Sequence, residues 1–214
     1  MKTVVVLGVL AVVVGGCGSG SPITAGDRLS PRTVAVAAQN VIEVRNSAGV
    51  IDLTAPPFRK SMRSVLDAFA DYAREADKTA ALIAQRVDLA AADRLRNETA
   101  DFYHQLLPPP LRAAARGDVI DWTRVDFHED KNIARVYIDG QRSPFHRDFV
   151  FVRTGNAWYI EPLNTPEGFA VDARRLASNY RSAIKTLRKV QAEIRGGHLT
   201  AQDIDARLWP ILNP

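Results

Sequence analysis

Apolar residues recur every three or four positions through much of the first half of this chain and every second position through much of the stretch from Trp122 to Glu161. Phe58, Met62, Val65, Leu66, Phe69, Ala73 and Ala76 keep helical spacing, and Ala80, Ile83 and Val87 extend it, so one long amphipathic helix is expected from Phe58 to about Val87. Asp88 is placed to cap a second helix, in which Leu89, Ala92, Leu95, Thr99, Phe102 and Leu106 hold the same period. Pro108-Pro109-Pro110 stops it. Leu111 to Arg116 reads as one or two more helical turns closed by Gly117. The pattern then changes to short aromatic and β-branched runs: Trp122 to Phe127, Ile133 to Asp139, Phe145 to Arg153 and Ala157 to Glu161. Glu129-Asp130-Lys131-Asn132, Asp139-Gly140 and Gly155-Asn156 separate them. Short runs with short connections pair antiparallel, which predicts a meander, closed by Pro162 and Pro166. A last helix from about Val171 to Arg195 carries Leu176, Tyr180, Ala183, Leu187, Val190 and Ile194 on one face. Gly196-Gly197 ends it, and Thr200 to Leu212 adds a short helix.

Val34 to Thr54 fits two readings. Ser30-Pro31 could open a helix, with proline at its first position. Yet Val41-Ile42-Glu43-Val44 and Val50-Ile51-Asp52-Leu53 flank Asn46-Ser47-Ala48-Gly49 in the manner of a hairpin. The expectation is a short helix or irregular entry followed by strand-like pieces. Helices first, an antiparallel meander after them and a long C-terminal amphipathic helix make an α+β domain.

The N-terminus has a different character. Lys2 precedes an almost unbroken apolar run, Val4 to Val14, and small residues lead to Cys17, the only cysteine. A charged start, a short apolar core and small residues before a cut describe a secretory signal peptide. The run is well short of the roughly 20 residues that span a bilayer. Val14-Gly15-Gly16-Cys17 resembles the lipobox of bacterial lipoproteins. The resemblance implies that Cys17 becomes the first residue of the mature protein, with a diacylglyceryl group on its sulfur and an acylated, palmitate-type amino terminus. One chain holds a protein to a membrane marginally and two or more hold it stably. The implied location is the non-cytoplasmic side of a membrane in the cell envelope; in a Gram-negative cell, Gly18 in place of Asp implies the outer membrane. Residues 1–16 are then the leader, 17–33, rich in Gly, Ser, Pro and Thr, a tether, and 34–214 one domain.

Composition narrows function mainly by exclusion. Removing residues 1–16 takes away Lys2 and lowers the formal charge from +4 to +3, too mild to indicate nucleic acid. With Cys17 acylated, no thiol remains for a disulfide, a metal or a nucleophile. His128-Glu129-Asp130 and His146-Arg147-Asp148 could approach one another in a meander, but their spacing matches no ligand pattern, and no metal or cofactor is expected. His146-Arg147-Asp148 also opens like a kinase catalytic loop, but Arg153 stands where the asparagine is needed and no glycine-rich phosphate loop accompanies it. There is no G-x-S-x-G, H-E-x-x-H or C-x-x-C. Asp67, Asp71 and Glu75 lie at helical spacing and have Arg63, Arg74 and Lys78 to offset them.

The hairpin of Phe149 to Ile160, with its Gly155 turn leading to Trp158 and Ile160, resembles the closing hairpin of NTF2-like lipoprotein domains. That resemblance covers the strand region only and implies a cone-shaped sheet around a cavity that hosts ligands in some members and catalysis in a few. The chain departs from the pattern in lacking a helix between the first two strands and in adding the long helix after the sheet. That helix bears the one non-random surface feature. Arg174, Arg175, Arg181, Lys185, Arg188, Lys189 and Arg195 face Asp172 and Glu193 in number and, at about 100° per residue, fall within roughly 160° of arc. Arg174, Arg181, Lys185, Arg188 and Lys189 are candidates to bind an anionic surface or an envelope protein, against the plainer reading of a solvated outer face. The expectation is a lipid-anchored, non-catalytic binding or scaffolding protein; the alternative is a ligand-binding or enzymatic NTF2-like cavity.

Overall fold

The computed structural model describes residues 22–105, 115–116, 119–142, 149–162, 165–197 and 199–212. The architecture is α+β, with helices first, then an antiparallel sheet, then a long C-terminal helix. In chain order the helices are α1 (Pro31–Glu43), α2 (Ser47–Leu53), α3 (Arg59–Arg86), α4 (Leu89–Gln105), α5 (Pro166–Arg195) and α6 (Ala201–Leu212). The strands are β1 (Ala115–Arg116), β2 (Val119–Ile120), β3 (Val125–Asp130), β4 (Ile133–Ile138), β5 (Gln141–Arg142), β6 (Phe149–Thr154) and β7 (Ala157–Pro162).

Residues 31–53 correct the hairpin expectation: they form two helices. Capping decides the matter. The Ser30 hydroxyl accepts the Thr33 N–H at 3.1 Å and Thr33 Oγ1 accepts the Ser30 N–H at 3.0 Å, with Pro31 at the first helical position. Val34, Ala38, Val41 and Ile42 are buried on the resulting face. Asn46 Oδ1 accepts the Gly49 N–H at 3.0 Å and so opens α2. Gly49 is small for a reason: a Cβ there would stand 2.5 Å from Val41 Cγ1. The short turn between α1 and α2 therefore rests on a close approach that a larger residue would hold only by displacing the Val41 side chain.

The long helix predicted from Phe58 is α3, and Asp88 caps α4 by accepting the Ala91 N–H at 2.7 Å. Ala92 and Leu95 are buried as the period requires, whereas Leu89, in the first turn, is 61% exposed. The helical turns expected over 111–116 are corrected at their end, where Ala115 and Arg116 pair with Ile120 and Val119; Leu111 to Ala114, Pro108 to Pro110 and Gly117 lie outside the described residues. The first meander strand starts later than expected. Asp121 accepts the Thr123 N–H at 3.2 Å and holds Trp122 to Arg124 in a 3-10 turn before β3 begins.

The main sheet runs β3-β4-β6-β7, all antiparallel, with β5 also on β4. Ala134 pairs with Phe151 and Phe151 with Ile160, so these share one face. Alternation puts Val125, Val136, Ile138 and Trp158 on that face, packed with Val34, Ala38, Val41 and Ile42 of α1. The β6–β7 turn uses Gly155 at φ +61°, a conformation that suits glycine at the first central position. A second core joins α3, α4, α5 and α6 around Phe69, Ile83, Leu95, Leu187, Ile194, Ile204 and Leu208; Val50 touches both cores.

Helix α5 begins earlier than its apolar stripe predicted. Thr165 Oγ1 accepts the Gly168 N–H at 3.0 Å and Pro166 occupies the first turn, so this proline opens the helix and does not merely close the sheet. Successive contacts give its direction. Phe58 meets Phe169, Phe69 and Tyr72 meet Tyr180, and Glu75 and Thr79 meet Gln191. The partner numbers rise together, so α3 and α5 run parallel.

Two substitutions test this packing. Trp158 is 2% exposed, and Trp158→Ala should cost about 3–5 kcal/mol in denaturant unfolding; a loss within experimental error would remove the hairpin from the core. Gly49→Ala sets about 1 kcal/mol of helix propensity against about 1–3 kcal/mol of overpacking on Val41. The expected net is a small loss of stability, relieved by adding Val41→Ala; a raised melting temperature in the single variant would contradict the close approach.

Candidate functional site

The basic face of α5 is built by the helix's opposite side. Ala173, Ala177, Leu187, Val190, Gln191 and Ile194 are buried against α3 and its neighbours, with Tyr180, Ala183 and Ile184 partly buried beside them. Burial fixes the rotation of the helix, and the rotation aims the charges outward. Leu176 departs from the predicted stripe and is 37% exposed. The reason is that the covered side of α5 shifts along its length. Its second half is also overlaid by α6, which turns back at Gly196-Gly197 and brings Ile204 and Leu208 into the same core. A helix of twelve residues reaches about 18 Å, too short to cover Leu176.

One polar cluster lies between α3 and α5. The Gln191 side-chain amide donates to Glu75 Oε1 at 2.9 Å and to Thr79 Oγ1 at 2.8 Å; the Thr79 hydroxyl donates to the Glu75 backbone carbonyl at 2.7 Å. Glu75 Oε2 faces Arg188 at 3.6 Å and Lys78 at 4.0 Å. A buried carboxylate is tolerable only when its oxygens are matched in this way. Above the cluster, Tyr180 sits against Tyr72 with ring centroids 5.4 Å apart, and burial pushes its phenol far above the ordinary range.

All seven basic residues of α5 are exposed, but they are not equivalent. Arg188 is drawn to Glu75, Lys189 lies 3.9 Å from Glu193, and Arg175 lies 3.3 Å from Asp172. Glu193 is shared with Arg207 of α6 at 3.8 Å. Among the described residues, Arg174, Arg181, Lys185 and Arg195 have no carboxylate partner. At about 100° per residue these four fall within roughly 80° of arc, a strip narrower than the full basic face. Three of the five sequence candidates, Arg174, Arg181 and Lys185, lie in this strip. The structure ties Arg188 and Lys189 into ion pairs and adds Arg195, whose place on the arc was legible but whose freedom from partners was not.

The remaining sequence candidates are not drawn together. Cys17 and the leader lie outside the described residues, as do His146, Arg147 and Asp148. His128 stacks on Tyr137 with ring centroids 3.8 Å apart. No group of three or more His, Cys, Asp or Glu residues suited to a metal ion occurs among the described residues. None of the described helices is long and apolar enough to cross a membrane. The chain matches no protein family, no curated protein and no solved structure.

The two faces of α5 should respond unequally to substitution. Gln191→Leu strips the donor from buried Glu75 and Thr79 and should cost about 1–3 kcal/mol. Arg181→Gln should stay within about 0.5 kcal/mol. Paired thermal melts measure both; equal losses would mean that the strip is part of the packing.

Proposed function

We propose that this chain is a lipid-anchored protein of the bacterial cell envelope, held on the non-cytoplasmic side of a membrane through Cys17, whose folded domain binds or scaffolds without catalysis. The observation that carries the reading is the leader: Lys2, the apolar run Val4 to Val14, and Val14-Gly15-Gly16 before the only cysteine. Two features of the domain support the non-catalytic part. The sheet face that would line an NTF2-like cavity is packed by Val34, Ala38, Val41 and Ile42 of α1 against Val136, Phe151 and Trp158, where a small-molecule site needs space and a few convergent polar groups. Among the described residues, the cations of α5 that lack a carboxylate partner lie instead on an exposed helix face. The hairpin from Phe149 to Ile160 resembles that of NTF2-like lipoprotein domains, but here α1 packs against the inner face of the sheet.

Cys17→Ala tests the anchor. Labelled palmitate should enter the wild-type protein, and the mature wild type should fractionate with membranes. The variant should carry no label and remain unprocessed. Label retained by the variant would place the lipid elsewhere and overturn the localisation.

A further inference from the structure

We infer that the unpaired strip Arg174, Arg181, Lys185 and Arg195 rests on the anionic phospholipid headgroups of the same membrane that receives the lipid on Cys17, so that α5 lies along the bilayer surface. This rests on the anchor reading above for its geometry. Three observations carry it.

The first is charge. From Arg174 to Arg195 the strip is about 31 Å long at about 1.5 Å per residue, a row of four cations none of which pairs with a carboxylate among the described residues; Arg188, on the same arc, is held by Glu75. Glu167, in the first turn of α5, is the acidic residue on the same line; it precedes the strip and leaves its length unbroken. The second is position. The described chain begins beside β7, the strand that leads into α5: Arg28 stands over the Tyr159 ring at 5.5 Å and Arg59 over the same ring at 5.3 Å, and Phe58, next to Arg59, meets Phe169 in the first turns of α5 at 5.5 Å. Thr24, whose N–H and hydroxyl both donate to Asp27 at 2.7 Å, is seven residues from Cys17, a span of at most about 25 Å. The lipid therefore holds the near end of the strip close to the headgroups, at a high effective concentration. The third is an apolar contact in the right place. Val171 is 56% exposed and projects about 60° from Arg174 on the helical wheel, on the basic side and at the end nearest the tether. An apolar side chain amid cations suits the boundary between headgroups and acyl chains. An acidic polymer offers no such layer, and the tether does not bring it to this face.

Acylation of Cys17 leaves no other thiol in the mature chain, so Ser178→Cys gives a single labelling site on the exposed basic side. The mature acylated protein, its acyl chains verified by mass, is labelled there with an environment-sensitive fluorophore. It is then inserted into phosphatidylcholine vesicles with or without phosphatidylglycerol. The emission should shift to the blue only with phosphatidylglycerol and should revert as salt shortens the reach of exposed charges. Each basic residue near an anionic surface contributes about fivefold to its occupancy. Arg174→Gln, Arg181→Gln and Lys185→Gln together should therefore lower the docked-to-free ratio about a hundredfold, with an unchanged melting temperature. Val171→Ser should reduce the blue shift and leave its salt dependence in place. No shift with phosphatidylglycerol at low salt, or a shift that the triple variant retains, overturns the proposal. A shift produced by soluble polyglutamate but not by phosphatidylglycerol also overturns it and assigns the strip to acidic polymers. If mass shows no acyl group, the anchor reading fails separately. Phosphatidylglycerol vesicles added to that chain with Cys17→Ser, which restores Ser178→Cys as the single labelling site, then still decide the strip, a salt-sensitive shift supporting it and none overturning it.

Discussion

The structure depends on a small parallel junction at the sheet edge. Thr54 bridges Ile160 in parallel, and the Ala55 N–H donates to the Ile160 carbonyl at 2.8 Å. Helix α3 starts a few residues after the first strand of that junction, and α5 a few residues after the second. Two helices launched side by side from one place must run parallel, and α3 and α5 do. Parallel neighbours cannot be joined by a short turn, so the chain between them must return to its starting point. Helix α4, the β1–β2 ladder and the whole meander are that return. The sheet thus places the start of α5 at a defined point on α3, and its inner face is covered by the short helices that precede the junction.

Register along the pair is fixed by groups that cannot slide. Phe58 with Phe169 and Tyr72 with Tyr180 are aromatic contacts at two levels. The hydrogen bonds of Gln191 to Glu75 and Thr79 form a third. An apolar seam alone tolerates a shift along the helix axis, whereas a displaced Gln191 would leave a buried carboxylate and a buried hydroxyl unmatched. This specificity reaches the surface. It sets the rotation of α5, so that Arg174, Arg181, Lys185 and Arg195 emerge as one row, and it engages Arg188 on the carboxylate below.

Much of the fold was legible because long periods average over many residues. Helix α3, the Asp88 cap, the three hairpin turns and the body of α5 followed from spacing and turn chemistry. The region 31–53 was not, because Val41-Ile42 and Val50-Ile51 are short apolar runs that suit a strand or a buried helix equally; Ser30 and Asn46, acting as caps, decide between them. Leu89 and Leu176 sat on the right stripe and are exposed, because a stripe says which side of a helix is apolar and not how far its neighbours extend. The basic face was visible as composition. The partition of its charges was not: the pairing of Arg188 with Glu75 joins residues on different helices, and Arg195 is singled out only by what lies near it.

The central claim is one of orientation: the lipid and the strip hold the domain with α5 toward the bilayer and α4, which packs across α3 and α6 from α5, away from it. Energy transfer to acceptors on lipid headgroups measures this most directly. Donors are placed singly at Ser178 on α5 and at the exposed Ala90 on α4, in the acylated protein on vesicles containing phosphatidylglycerol. The account predicts strong transfer from Ser178 and weak transfer from Ala90, with the difference abolished by high salt. Equal transfer from the two positions at low salt, or stronger transfer from Ala90, would contradict it.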